Sequence, residues 1–88
     1  MKTSFLTSFL RDVKKLPNAR IRRDVERAIL EIESAPELSK VSSIKRLSGH
    51  SNYFRLRLGE WRIGIKMHDG EIMFVRCLHR REIYRFFP

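Results

Sequence analysis

"FRLRLGEWRIGIKM", Phe54–Met67, alternates apolar and polar side chains with a period of two, apart from one break at Gly59-Glu60. A period of two is the mark of a β-strand lying on a core, because successive strand side chains point to opposite faces. The break has the composition of a short turn, so the stretch reads as a β-hairpin. Phe54, Leu56, Leu58, Trp61, Ile63 and Ile65 then face the core. Arg55, Arg57, Arg62 and Lys66 share the opposite face, with Tyr53 on the same side. Across so short a turn Arg57 should face Arg62, and Arg55 should face Gly64, where the missing side chain leaves open space. Like charges directly opposite in a sheet repel. Screening by water relieves isolated pairs, but three arginines and a lysine on one face are more simply explained by a bound anion. Tyr53 is placed to stack on a base, whereas Trp61 belongs to the apolar face and to the core.

The period continues C-terminally. His68-Asp69-Gly70 is a turn signal, and "EIMFVRCL" (71–78) is apolar on both faces, as a central strand is. Upstream the period is helical. Phe9, Leu10, Val13 and Leu16 follow one helix face, with Thr7 or Ser8 as the N-cap, until Pro17-Asn18 interrupts. Ile21, Val25, Ala28, Ile29 and Ile32 form a second apolar stripe that ends near Ser34-Ala35-Pro36. Residues 37–50, with four serines and Gly49, read as loop, and "KTSFL" (2–6) as a short edge strand. The expected fold is α+β: an N-terminal helical hairpin packed on a small antiparallel sheet of three strands.

Length and charge bound the function. Eighty-eight residues make one domain, spanning 1–88, and 42% hydrophobic residues are too many for a disordered chain. The net charge is +9, and it is uneven: residues 1–44 carry nine basic and six acidic side chains, residues 45–88 ten and four. Such a field attracts nucleic acid, an anionic membrane or an acidic partner protein. No apolar run approaches the ~18 residues of a membrane span, and Met1–Leu10 is too short and too polar for a signal peptide, so a cytoplasmic location is expected. The single Cys77 cannot form an internal disulfide and reads as a small buried apolar residue. No Cys/His spacing suggests a metal, and no cofactor motif is visible.

The chain closes with "CLHRREIYRFFP" (77–88), which places His79, Arg80, Arg81, Tyr84 and Arg85 just past the last strand. An imidazole, a phenol and fixed positive charge are what RNA cleavage by its own 2′-hydroxyl requires. One group accepts the hydroxyl proton, cations stabilise the five-coordinate phosphate, and another group protonates the departing 5′-oxygen. No carboxylate cluster of the kind that holds two catalytic metals is present.

"FRLRLGEWRIGIKMHDGEIMFVRCLHRREIY" behind "FLRDVKKLPNARIRRDVERAILEI" resembles the RelE/ParE toxin superfamily of bacterial and archaeal toxin–antitoxin modules, over almost the whole chain. Its more specific parts are "FRLRLGEWRI" and "HRREIY". The resemblance implies a toxin that cuts mRNA in the ribosomal A site and is neutralised by a cognate antitoxin, acidic and folding as it binds. It also implies site residues: Arg55, Arg57, Arg62, Arg80 and Tyr84 match the family's catalytic positions, while His79 occupies a position that differs among relatives and joins the catalytic set for its chemistry; Lys66, Arg81, Arg85 and Tyr53, on the same basic surface, are expected to contact RNA. Arginine is effectively always protonated, so Arg55 and Arg57 cannot be the general base, and that role falls to His79, Tyr84 or the surroundings of the ribosome-bound RNA, with the two side chains favoured. The superfamily also holds ParE-like members that poison DNA gyrase, and relatives that have lost activity; both remain alternatives.

Overall fold

The computed structural model describes residues 1–88. Its elements are β1 (Lys2–Phe5), α1 (Thr7–Lys14), α2 (Ala19–Ser34), β2 (Ile44–Arg46), β3 (Tyr53–Leu58), β4 (Trp61–His68), β5 (Glu71–His79) and α3 (Ile83–Phe86), with one 3₁₀ turn at Leu38–Lys40. The fold is α+β, built on a five-stranded sheet of order β1-β5-β4-β3-β2.

The three-stranded meander is the centre of this sheet. Leu58 pairs with Trp61 across a two-residue turn in which Gly59 has φ +58°, a conformation that costs glycine little. Asp69 and Gly70, both with positive φ, close the β4–β5 turn. Two expectations need correction. The sheet is mixed, because β1 runs parallel to β5; its direction is imposed by the helices that separate it from the other strands, not by a turn. Residues 37–50 are not all loop either. Leu38 and Val41 are buried, and Ile44–Arg46 form the far edge strand on β3. Three residues are too few for an alternation to stand out.

A β-bulge gives β5 its two-sided apolar character. Gly64 pairs with Arg76 and Ile65 with Phe74, so Val75 is an extra residue. The bulge lets Phe74 and Cys77 both point into the core. That core joins Phe9, Ile21, Val25, Ala28 and Ile32 of the helices to Leu56, Ile63, Ile65, Ile72, Phe74 and Cys77 of the sheet. Asn18 caps α2, its side-chain oxygen accepting from the Ile21 N–H at 3.0 Å.

In α1 the expected cap is absent. Leu6 occupies the N-cap position with no side-chain bond, and the Ser8 hydroxyl instead donates to the Val75 carbonyl at 2.6 Å. The helix is also rotated from the expected face: Phe9 and Asp12 are buried, while Leu10 is 49% exposed. Both departures have one cause. β1 ends at Phe5, leaving the edge of β5 beyond Phe74 without a neighbouring strand. Helix α1 takes over there. Asp12 accepts from the Cys77 N–H at 3.0 Å and from the Arg76 side chain at 2.7 and 3.1 Å. Side chains of α1 thus satisfy backbone groups that an unpaired strand edge would expose.

Candidate active site

The β3–β4 register places the arginines as the alternation requires. Arg57 is opposite Arg62, and Arg55 opposite Gly64. They do not sit in equal environments. Arg57 is exposed, Arg55 half-buried, and Arg62 buried at 7% exposure. The Arg62 guanidinium folds back over the turn, Nη1 donating to the Gly59 carbonyl at 2.6 Å and to the Trp61 carbonyl at 2.9 Å. Burial pushes its pKa down from the ordinary arginine value, and repulsion from Arg57, Arg55 and Arg80 adds to the shift, opposed by Tyr84. The side chain still carries its charge. Arg55, Arg57, Arg80 and Tyr84 therefore each lie within electrostatic reach of Arg62, although the five come from three separate segments.

The space opposite Arg55 is not open. A Cβ on Gly64 would lie 2.7–2.8 Å from the Phe87 ring. After β5 the chain turns into α3 and lays Ile83 and Phe87 on this second face of the sheet, both buried. Tyr53 packs edge-on against Phe87 with ring centres 5.6 Å apart, and Lys66 Nζ stands 5.5 Å over the Tyr53 ring. Tyr53 is thus part of the support beneath the C-terminal segment, and Lys66 lies against it. Tyr84, one residue past Ile83, is 60% exposed.

The C-terminal groups meet a residue that the sequence reading treated only as part of a turn. Glu60 accepts from Arg80 Nε, and its carbonyl accepts from the Arg80 N–H at 2.8 Å. The same carboxylate oxygen lies 3.8 Å from His79 Nε2. The Arg80 side chain holds the Glu60 carboxyl below its usual pKa, helped by His79 and Arg62. His79 Nδ1 accepts from the Arg81 N–H at 3.2 Å, and its ring meets Trp61 edge-on at 5.5 Å. Arg81 is itself exposed. Arg85 turns aside to pair with Glu82 at 3.4 Å and to stack on Phe86. The signal for Glu60 was its isolation, as the only carboxylate between residues 38 and 68. No group of three metal-binding side chains comes together, and no helix is long and apolar enough to cross a membrane.

A basic sheet face on which a buried arginine is ringed by three others and a tyrosine, under a five-stranded sheet with helices on its reverse, is the architecture of a small toxin class. The family profile described as "ParE toxin of type II toxin-antitoxin system, parDE" matches residues 4–84. The chain is 38% identical over 89 residues to Toxin RelE3 of Methanocaldococcus jannaschii, covering all of both chains. It belongs to the RelE/ParE toxin superfamily of type II toxin–antitoxin systems. The toxin chain in the crystal structure of a RelB–RelE antitoxin–toxin complex from Methanococcus jannaschii superposes with a TM-score of 0.80 at 37% identity, covering 96% of this chain and 98% of that one. The RelBE2 toxin–antitoxin complex of Mycobacterium tuberculosis, at 23% identity and a TM-score of 0.59 over 90% of this chain and 96% of that one, shares the fold.

Proposed function

We propose that this toxin is an endoribonuclease that cuts mRNA on the translating ribosome. One observation carries the reading: the buried Arg62 guanidinium is surrounded by Arg55, Arg57, Arg80 and Tyr84, all of which act on its charge. Clustering cations against one another, with one of them desolvated, opposes folding. A phosphodiester entering the cluster reverses that balance, most of all when it becomes five-coordinate and gains charge.

In this mechanism the substrate's 2′-oxygen attacks the adjacent phosphorus, and its proton passes to Tyr84 or His79. Arg62 and Arg80 stabilise the extra negative charge, while Arg55 and Arg57, permanently protonated, hold flanking phosphates. The P–O5′ bond breaks and the 5′-oxygen takes up a proton from whichever of Tyr84 and His79 did not accept the first one, leaving a 2′,3′-cyclic phosphate and a 5′-hydroxyl. The nucleophile is internal to the RNA. Lys66, Arg81, Arg85 and Tyr53 contribute longer-range attraction or support. A cognate antitoxin, acidic and folding as it binds, is the inhibitor; RelB plays the partner's part in the similar archaeal complex.

The matched profile is described by a ParE toxin, which favours gyrase inhibition as the second reading. Primer extension on a reporter message after brief induction separates the two. New 5′ ends inside the translated region are expected, and Arg62→Ala should lower their rate of appearance by about 10²–10³. Intact message together with broken DNA would refute cleavage in favour of the ParE-like activity.

A further inference from the structure

The turn that seats Arg62 also holds the two groups that follow β5. Glu60 stands next to Gly59, whose carbonyl accepts from Arg62. Its own carboxylate Oε2 accepts from Arg80 Nε and faces His79 Nε2 at 3.8 Å. Its backbone carbonyl pins the Arg80 N–H. The opposite nitrogen of the His79 ring is engaged too, since Nδ1 receives the Arg81 N–H. A backbone amide can only donate, so Nδ1 must present its lone pair to it. The neutral ring then carries its proton on Nε2, toward the Glu60 carboxylate. With that arrangement neither ring nitrogen has a lone pair free to accept a proton from substrate.

We propose that Glu60 is a positioning residue of the site, fixing Arg80 beside Arg62, and that His79, held in the Nε2–H tautomer by the Arg81 N–H with that proton facing the Glu60 carboxylate, does not serve as the proton acceptor. This rests on the cleavage reading above. Exposed ion pairs contribute little to stability, and Arg80 and Glu60 side chains are 52% and 63% exposed. The consequence of the contact is geometric instead: a guanidinium on a long, flexible stem is held in place before the phosphate arrives. Tyr84 makes no comparable contact and is left as the unengaged candidate for the base.

The test combines a spectroscopic and a kinetic readout on the full chain. At about pH 8, ¹⁵N spectra should show His79 with a bare Nδ1 and a protonated Nε2, and an Arg80 Nε–H that exchanges more slowly than in Glu60→Ala. Glu60→Ala should release the Arg80 signal to faster exchange, while the His79 tautomer, set by the Arg81 N–H, is kept. The same variant should slow single-turnover message cleavage about tenfold without weakening binding to the ribosome–message complex. Glu60→Gln, which keeps an acceptor oxygen, should recover part of the rate. A protonated Nδ1 in the unaltered protein, a Glu60→Ala variant that cleaves at full rate, or one that loses only affinity would each overturn the proposal while leaving the cleavage reading intact. If the unaltered chain cuts no message, the cleavage reading fails and the positioning role falls with it.

Discussion

Adding one methyl group at Gly64 should unseat the C-terminal segment. A Cβ there lies 2.7 Å from Phe87 Cγ and Cδ1 and 2.8 Å from Cδ2. Carbon atoms rest about 3.5–4.0 Å apart, so the ring would have to retreat by about 1 Å. Phe87 is 2% exposed and flanked by Tyr53, which leaves it little room to slide along the sheet. Overpacking of this kind costs about 1–3 kcal/mol, and expelling the ring into water forfeits about 1.5–3 kcal/mol of burial. Gly64→Ala should therefore destabilise by about 2–4 kcal/mol. For a chain of this size that lowers Tm by roughly 10 °C or more. The contact can be isolated by a double-mutant cycle with Phe87→Ala. Once the ring is gone the three nearest atoms to the methyl go with it, and Gly64→Ala should cost less than ~0.5 kcal/mol or stabilise the strand slightly. Denaturant unfolding followed by the fluorescence of Trp61, the chain's one tryptophan, measures all four corners. If Gly64→Ala cost as much in the Phe87→Ala background as in the unaltered protein, the ring would not be what the glycine makes room for.

Asp12→Ala should cost about 3 kcal/mol or more, because it strips partners from the Cys77 N–H and from Arg76, whose charge Asp12 stabilises; the urea midpoint reads this directly. Arg62→Met should raise the unfolding midpoint or leave it unchanged while slowing cleavage by about 10²–10³, since burial and neighbouring arginines make the charged form unfavourable in the fold; a large loss of stability would contradict that sign. Burial and the nearby Asp12 push the Cys77 thiol up from 9.0 to about 12, so its contribution to stability is complete below about pH 9 and is lost as pH rises toward about 12. Denaturant midpoints across that window should fall more steeply for the unaltered protein than for Cys77→Ala.

The central hairpin was legible because its information is local. A period of two together with a two-residue turn determines which side chains share a face and which stand opposite, so the Arg57–Arg62 and Arg55–Gly64 pairings follow from counting. The stripe of α2 was legible for the same reason: four of its five apolar positions are buried. Asp12 was not. A lone acid in a basic helix carries no mark of burial; only the ending of β1 leaves β5 edge groups for it to satisfy. The bulge at Val75 likewise appears in sequence merely as an apolar run.

The basic face could be read in advance, but not its internal order. Alternation placed Arg55, Arg57 and Arg62 together and could not say that Arg62 is buried against two carbonyls while Arg57 stands in water. Gly64 suggested open space, and the long-range return of Phe87 fills it. Glu60 is some 20 residues from Arg80, and nothing in either segment names the other. Backbone periodicity is a property of neighbours along the chain and survives without the fold. Burial, charge pairing and the seating of the C-terminal groups depend on segments brought together only when β5 crosses beside β4 and the chain folds back across the sheet.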